Sequence, residues 1–305
     1  MSRDRPTPRR RTRSGRSGRS GGIVAGSLGL ALTLGLIWLV ATRLGAEPAP
    51  PAHEPPALFC RATIGSETAQ LTPEQAANAA LIAGVAAQRG LAPRAVSIAL
   101  TTAFQESGIR NLDYGDLDSL GLFQQRPAAG WGTPEQIMDP IYSTNKFYDA
   151  MVRIRNWADS DIGDVAQAVQ ISAYPDYYDK HVARARLLAS ALSGQTAAAW
   201  SCLVRDAAAP DPARLTHELN RTYGDALRLI ESVPADSDHP ARLVWQATSE
   251  EAAWSAAAFA QSWAHLTGVS QVQVGARLWT AQPESLAEWV DQADGSPATR
   301  VQMVL

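Results

Sequence analysis

The chain has 305 residues, 46% hydrophobic and 19% charged, with a net charge of −3, a globular composition long enough for about two ordinary domains. Charge is spread unevenly: residues 1–22 hold eight arginines against one acid, Asp4, so that segment is +7 and, the whole being −3, the remainder is −10. A basic tail on an acidic body argues against nucleic acid as the partner of the folded part.

From Ile23 to Thr42 the chain reads IVAGSLGLALTLGLIWLVAT, without a charge. A helix rises ~1.5 Å per residue, so this run spans the ~30 Å hydrocarbon core of a bilayer. The arginines lie immediately before it. The positive-inside rule therefore predicts a single-pass transmembrane anchor at 23–43 in the cell membrane, with residues 1–22 as a cytoplasmic tail against membrane lipid and everything after Arg43 exported. A cleaved signal peptide is the competing reading, but it calls for a shorter apolar run and a small-x-small site. Residues 44–58 follow as a proline-rich linker containing EPAPPAHEPPA, a composition that favours extended polyproline II.

Cys60 and Cys202 are the only cysteines. Export places them in an oxidising compartment, and a disulfide between them would clamp the ends of one domain over 59–203. Two unrelated buried thiols are the alternative. Residues 60–202 read as almost entirely helical. Thr72-Pro73-Glu74-Gln75 is a capping box with proline at the first helical position, and Gly90 ends that helix. A second helix runs from Pro93 to about Ser107, with Gly108 as its stop. Thr133–Gln136 repeats the capping tetrad, and Asp139-Pro140 opens a longer helix. Residues 164–172 and 176–192 read as two more, while 111–131, rich in Gly, Asp and Pro, reads as irregular or short strands.

A second linker, 204–212, leads to residues 213–305. Here the pattern alternates: helix 214–231, strand 242–248, helix 250–266, strand 272–280, helix 284–292 and strand 300–305. That predicts a small C-terminal α/β (α+β) domain. It carries no phosphate loop, dinucleotide fingerprint or metal spacing, and neither cofactor nor metal is expected in the chain.

The stretch with chemical content is Ala103-Phe104-Gln105-Glu106-Ser107-Gly108, followed by Gly121-Leu122-Phe123-Gln124-Gln125. Glu106 shares a helical stripe with Ala95, Ala99, Thr102 and Ala103, which aims it towards a core or a cleft. It also sits in the last helical turn, against the negative end of the helix dipole. A general acid in glycoside cleavage needs a carboxyl that holds its proton near neutral pH. Asp113, Asp116 and Asp118 read as turn residues, with a second catalytic carboxylate or calcium ligation as alternatives. Trp131, between Gly130 and Gly132, is a candidate to stack on a sugar ring or to lid the core. Tyr177 and Tyr178 read as packing residues.

The pairing of Glu106-Ser107 with Gly121-Leu122-Phe123-Gln124 resembles the Glu-Ser and Gly-Leu-(Met/Phe)-Gln motifs of lytic transglycosylases and goose-type lysozymes. The wider string GLFQQRP…GWGTPEQIMDP…FYDAM is similar to lysozyme-like modules in exported proteins of high-GC Gram-positive bacteria. The resemblance covers about residues 70–193. It implies an all-α lysozyme-like domain acting on peptidoglycan glycan strands, with Glu106 as the single catalytic acid at the MurNAc–GlcNAc bond. It further implies that Ser107 orients the acid or contacts substrate, and that Gln124, with Gln125 beside it, lines the cleft. Such families carry an Ala-Tyr-Asn-x-Gly motif whose tyrosine contacts the acid. This chain has Ala173-Tyr174-Pro175-Asp176, making Tyr174 the candidate and leaving a non-catalytic peptidoglycan-binding or scaffold protein as the alternative.

Overall fold

The computed structural model describes residues 57–171, 177–292 and 295–305. The basic tail, the apolar run at 23–43, nearly all of the proline-rich linker and Tyr174 lie outside these. Among the described residues, no helix is long and apolar enough to cross a membrane.

The described part begins with β1 (Cys60–Ile64), a two-residue turn at Gly65-Ser66, and β2 (Glu67–Leu71). A third strand, β3 (Trp200–Cys202), pairs with the other edge of β1, giving an antiparallel sheet ordered β2-β1-β3. This overturns the expectation of an all-α lysozyme-like domain over 59–203. The reason lies in a short alternation. Cys60, Ala62, Ala69 and Leu71 face inward, their neighbours face outward, and Gly65 supplies the positive φ (60°) of a tight hairpin turn. Cys60 and Cys202 sit directly opposite each other on β1 and β3 and form a disulfide, with their Cα atoms 3.9 Å apart.

Between these strands lie the helices. They are α1 (Pro73–Gln88), α2 (Pro93–Ser107), the short α3 (Pro134–Met138), α4 (Pro140–Met151), α5 (Ile162–Gln170) and α6 (Asp179–Leu192). Both Thr-Pro-Glu-Gln tetrads form complete capping boxes, on Thr72 and Thr133. Helix α1 is buried along most of its length, from Ala76 to Ala86, because helices pack on both of its sides.

One of those neighbours is α8 (Glu250–Ser262), from the C-terminal half. Gly84 of α1 sits where a Cβ would come within 2.5 Å of Thr222 and 2.8 Å of the Tyr223 ring, both on α7 (Pro212–Tyr223). The N- and C-terminal halves thus share one buried cluster, and Pro55–Leu305 forms a single compact unit.

The C-terminal half also contains the four-residue helix α9 (Ala264–Thr267) and a six-stranded sheet. Its strands are β4 (Leu227–Val233), β5 (Arg242–Ala247), β6 (Gln271–Val274), β7 (Arg277–Thr280), β8 (Val290–Asp291) and β9 (Arg300–Val304). They are ordered β4-β5-β9-β6-β7-β8, and every pairing is antiparallel. Three expectations are corrected here. The helix read over 214–231 stops at Tyr223, and its last residues become β4 because β5 offers them a ladder. The strand read over 272–280 is a hairpin folded at Gly275, whose φ is 53°. The helix read over 284–292 does not form. Instead the Ala287 carbonyl accepts from the Ser201 hydroxyl at 2.6 Å and the Trp289 indole donates to the Trp200 carbonyl at 2.9 Å. Tertiary hydrogen bonds outweigh a weak local helix preference there.

Candidate functional site

Glu106 is placed by the joint between two helix ends. Helix α2 stops at Gly108 (φ 64°), and Ile109 (φ 58°) follows in the same left-handed region although it is β-branched and fully buried. Side chains of α1 hold that geometry. The Gln75 amide closes the capping box with its oxygen and donates through Nε2 to the Gly108 carbonyl at 2.8 Å. Asn78 donates to the Ile109 carbonyl at 3.0 Å. A strained, buried turn supported from several sides is a feature that concentrates at functional sites.

The half-buried Glu106 side chain lines an open groove of about 750 Å³. One wall is the start of α1 (Thr72 to Gln75), and the other runs from Gln105 through Gly108 to Arg110 and Leu112. From the protein side, the Tyr178 hydroxyl donates to Glu106 Oε1 at 2.6 Å. Tyr178 is 1% exposed and stands immediately before α6. This short bond holds one oxygen of the Glu106 carboxyl, a group that borders the groove. Glu74 lines the same groove as a second carboxylate.

Next to Glu106, Gln105 Oε1 lies 3.3 Å from His181 Nε2, and the His181 ring stacks on Phe104 with centroids 5.5 Å apart. Burial, followed by the nearby charges of Lys180 and Arg184, holds the His181 pKa below its usual value, so the neutral imidazole is favoured.

The other sequence-designated residues are placed differently. Ser107 borders the groove but is buried, and its hydroxyl donates to the Leu122 carbonyl at 2.7 Å, fastening the second motif to the end of α2. Leu122 and Phe123 are fully buried, with Phe123 stacked on Phe147 at 4.5 Å and its carbonyl bonded by Gln170 at 2.7 Å. Gln124 adopts φ 48°, and its amide donates to the carbonyls of Gly121 (3.2 Å) and Tyr114 (3.3 Å) in its own loop. Gln125 is 1% exposed and donates to the Ser143 carbonyl at 3.0 Å, a core position rather than a cleft one. Trp131 packs partly buried against the core, and its carbonyl accepts from Tyr142 at 3.3 Å. None of Gln124, Gln125 and Trp131 lines the groove at Glu106.

The three loop aspartates do not converge on it either. Asp118 pairs with Arg126 at 2.6 Å and accepts from the Ala128 amide, and these bonds hold its carboxyl below the usual range. Asp113 and Asp116 are exposed, and no group of three or more His, Cys, Asp or Glu among the described residues is placed to hold a metal ion.

Tyr178 is the functional candidate that sequence reasoning missed, and a signal for it exists. Tyr178, Ala185, Leu188, Ala189 and Leu192 recur in the sequence at the spacing of one helical stripe, and all five are buried. Glu74 carried no signal beyond its place in the capping box. No family model and no curated protein matches this chain.

Proposed function

We propose that this chain binds peptidoglycan glycan strands in the groove at Glu106 and cleaves the MurNAc–GlcNAc bond, as a lytic transglycosylase or a lysozyme-type hydrolase. The observation that carries the reading is one carboxylate in an open groove, gripped from behind by a buried tyrosine hydroxyl at 2.6 Å. The likeness of Glu106-Ser107 and Gly121-Leu122-Phe123-Gln124 to transglycosylase motifs supports it.

In this mechanism Glu106 gives its proton to the glycosidic oxygen as the C1–O bond breaks. In the transglycosylase branch it then takes the proton of the muramic 6-hydroxyl, whose oxygen closes a 1,6-anhydro ring on C1. In the hydrolase branch water attacks C1 instead, and Glu74 stands in the same groove as a second carboxylate. The apolar run at 23–43 would tether the groove to the membrane, on the wall-facing side.

A non-catalytic peptidoglycan-binding role is the second reading. It is favoured by the commitment of the Ser107 hydroxyl to the Leu122 carbonyl, the core position of Gln125 and the bonding of Gln124 within its own loop. Incubating the full-length chain in detergent micelles, and its Glu106→Gln variant, with sacculi separates the two. Anhydromuropeptides or reducing-end muropeptides from the wild type alone support cleavage and name the branch. Sacculus binding that survives Glu106→Gln, with no soluble product from either protein, refutes cleavage and leaves the binding role.

A further inference from the structure

Away from Glu106, a second pocket of about 260 Å³ is formed where β1 and β3 meet the segment 286–289 and β7. Trp200, Ala287 and Ser201 are buried in its wall. The ring of Trp289 is fixed by its bond to the Trp200 carbonyl and by an edge-on contact with Trp254 at 5.0 Å.

Two guanidinium groups line this pocket, and they differ. Arg277 is committed: Nη1 pairs with Asp291 at 3.0 Å and Nη2 donates to the Trp289 carbonyl at 3.1 Å. The Arg61 side chain has no hydrogen bond or ion pair among the described residues, whereas its backbone pairs in the sheet. It lies over the Phe59 ring at 5.9 Å, and its Nε is shielded from solvent without an acceptor. Glu288 lines the same pocket and likewise has no ion-pair partner among the described residues.

A free cation and a free carboxylate therefore border one cavity without pairing. Arg61 is half-buried and Glu288 exposed, and no ion pair joins them among the described residues. Such a gap suits a molecule that carries both charges. The volume is just under the ~300–1,000 Å³ of small-molecule sites, which suits an amino acid rather than a saccharide chain.

We propose that this pocket binds a free α-amino acid. Its carboxylate meets the Arg61 guanidinium, its ammonium group meets Glu288, and its side chain rests on Leu286 and Trp289. The proposal does not depend on the reading of Glu106.

Calorimetric titration of the full-length chain in detergent micelles tests it with glycine, valine, isovalerate (valine without its ammonium) and isobutylamine (valine without its carboxylate). Glycine or valine should bind saturably, and both single-charge analogues should bind about ten-fold or more weakly than valine, the loss of one charge-assisted contact. Arg61→Gln and Glu288→Gln should each weaken amino-acid binding by about ten-fold or more at an unchanged melting temperature. Glu288 is exposed, so its variant reports even where Arg61→Gln disturbs β1. The proposal is overturned by no saturation with either amino acid, by isovalerate binding as tightly as valine, or by Glu288→Gln binding like the wild type.

Discussion

Replacing Tyr178 with phenylalanine removes one oxygen from the centre of the candidate site and leaves the ring in place. The ring is 1% exposed, so its packing is retained and no cavity opens. What is lost is the 2.6 Å bond to Glu106 Oε1. Such a bond contributes about 0.5–1.5 kcal/mol to a neutral acceptor and about 1.5–3 kcal/mol to a charged one. Glu106 borders an open groove where water can replace part of that bond, which points to about 1.5–2 kcal/mol, near where the two ranges meet. Urea unfolding at pH 7 should register that loss. If the bond also orients the acid, the same energy lowers the rate of muropeptide release from sacculi by about 10- to 30-fold. Glu106→Gln is the matching control: its amide oxygen still accepts from Tyr178, so stability should fall by under about 1 kcal/mol while cleavage is lost. A Tyr178→Phe protein within about 0.5 kcal/mol of the wild type, releasing product at the wild-type rate, would refute the assignment of this bond to the site.

The disulfide closes a loop of 142 residues in sequence separation, for which the chain-entropy account gives about 5 kcal/mol as an upper value. Replacing both Cys60 and Cys202 with alanine should lower unfolding stability by about 2–5 kcal/mol; a loss under about 1 kcal/mol would mean that strand pairing alone fixes these ends. Gly84→Ala drives a methyl group against Thr222 and Tyr223 across the junction of α1 and α7, and overpacking of this kind costs about 1–3 kcal/mol. A thermal melt no lower than that of the wild type would show that the halves are less closely fitted. Because burial lowers the His181 pKa, the unfolded chain binds its proton first as pH falls through about 6.5, so this group's contribution to stability is flat above that pH and declines below it. Its ring resonances should titrate with a midpoint below 6.5, and a midpoint at or above that value would contradict the assignment.

Much of the helical part was legible in the sequence because its signals are local. The two Thr-Pro-Glu-Gln boxes cap α1 and α3, Gly90 and Gly108 stop helices, and Asp139-Pro140 opens α4. The placement of both cysteines at the ends of one segment was enough to suggest their bond. The three-stranded sheet was missed although the hairpin over 60–71 alternates cleanly, because strands of five residues are short beside the long helical run that follows. Its third strand is three residues long and exists through pairing with β1, which no local pattern announces.

Glu106 was singled out by its helical stripe and by a motif, and the groove beside it is formed by the start of α1, whose approach depends on Gln75 and Asn78 bonding to residues more than 30 positions away. The motif residues Ser107, Leu122 and Phe123 turn out to fasten the loop to the core, a role that the pattern alone does not distinguish from substrate contact. Sequence by itself determined where the helices at Pro73, Pro93, Pro134 and Pro140 begin and where the first two stop, because capping and glycine stops act within a few residues. Tertiary structure alone decided that 284–292 is not a helix, that the two halves share a core, and that Tyr178 meets Glu106 across 72 positions. Those outcomes rest on bonds between distant segments, and their energies exceed the small local preferences that a sequence displays.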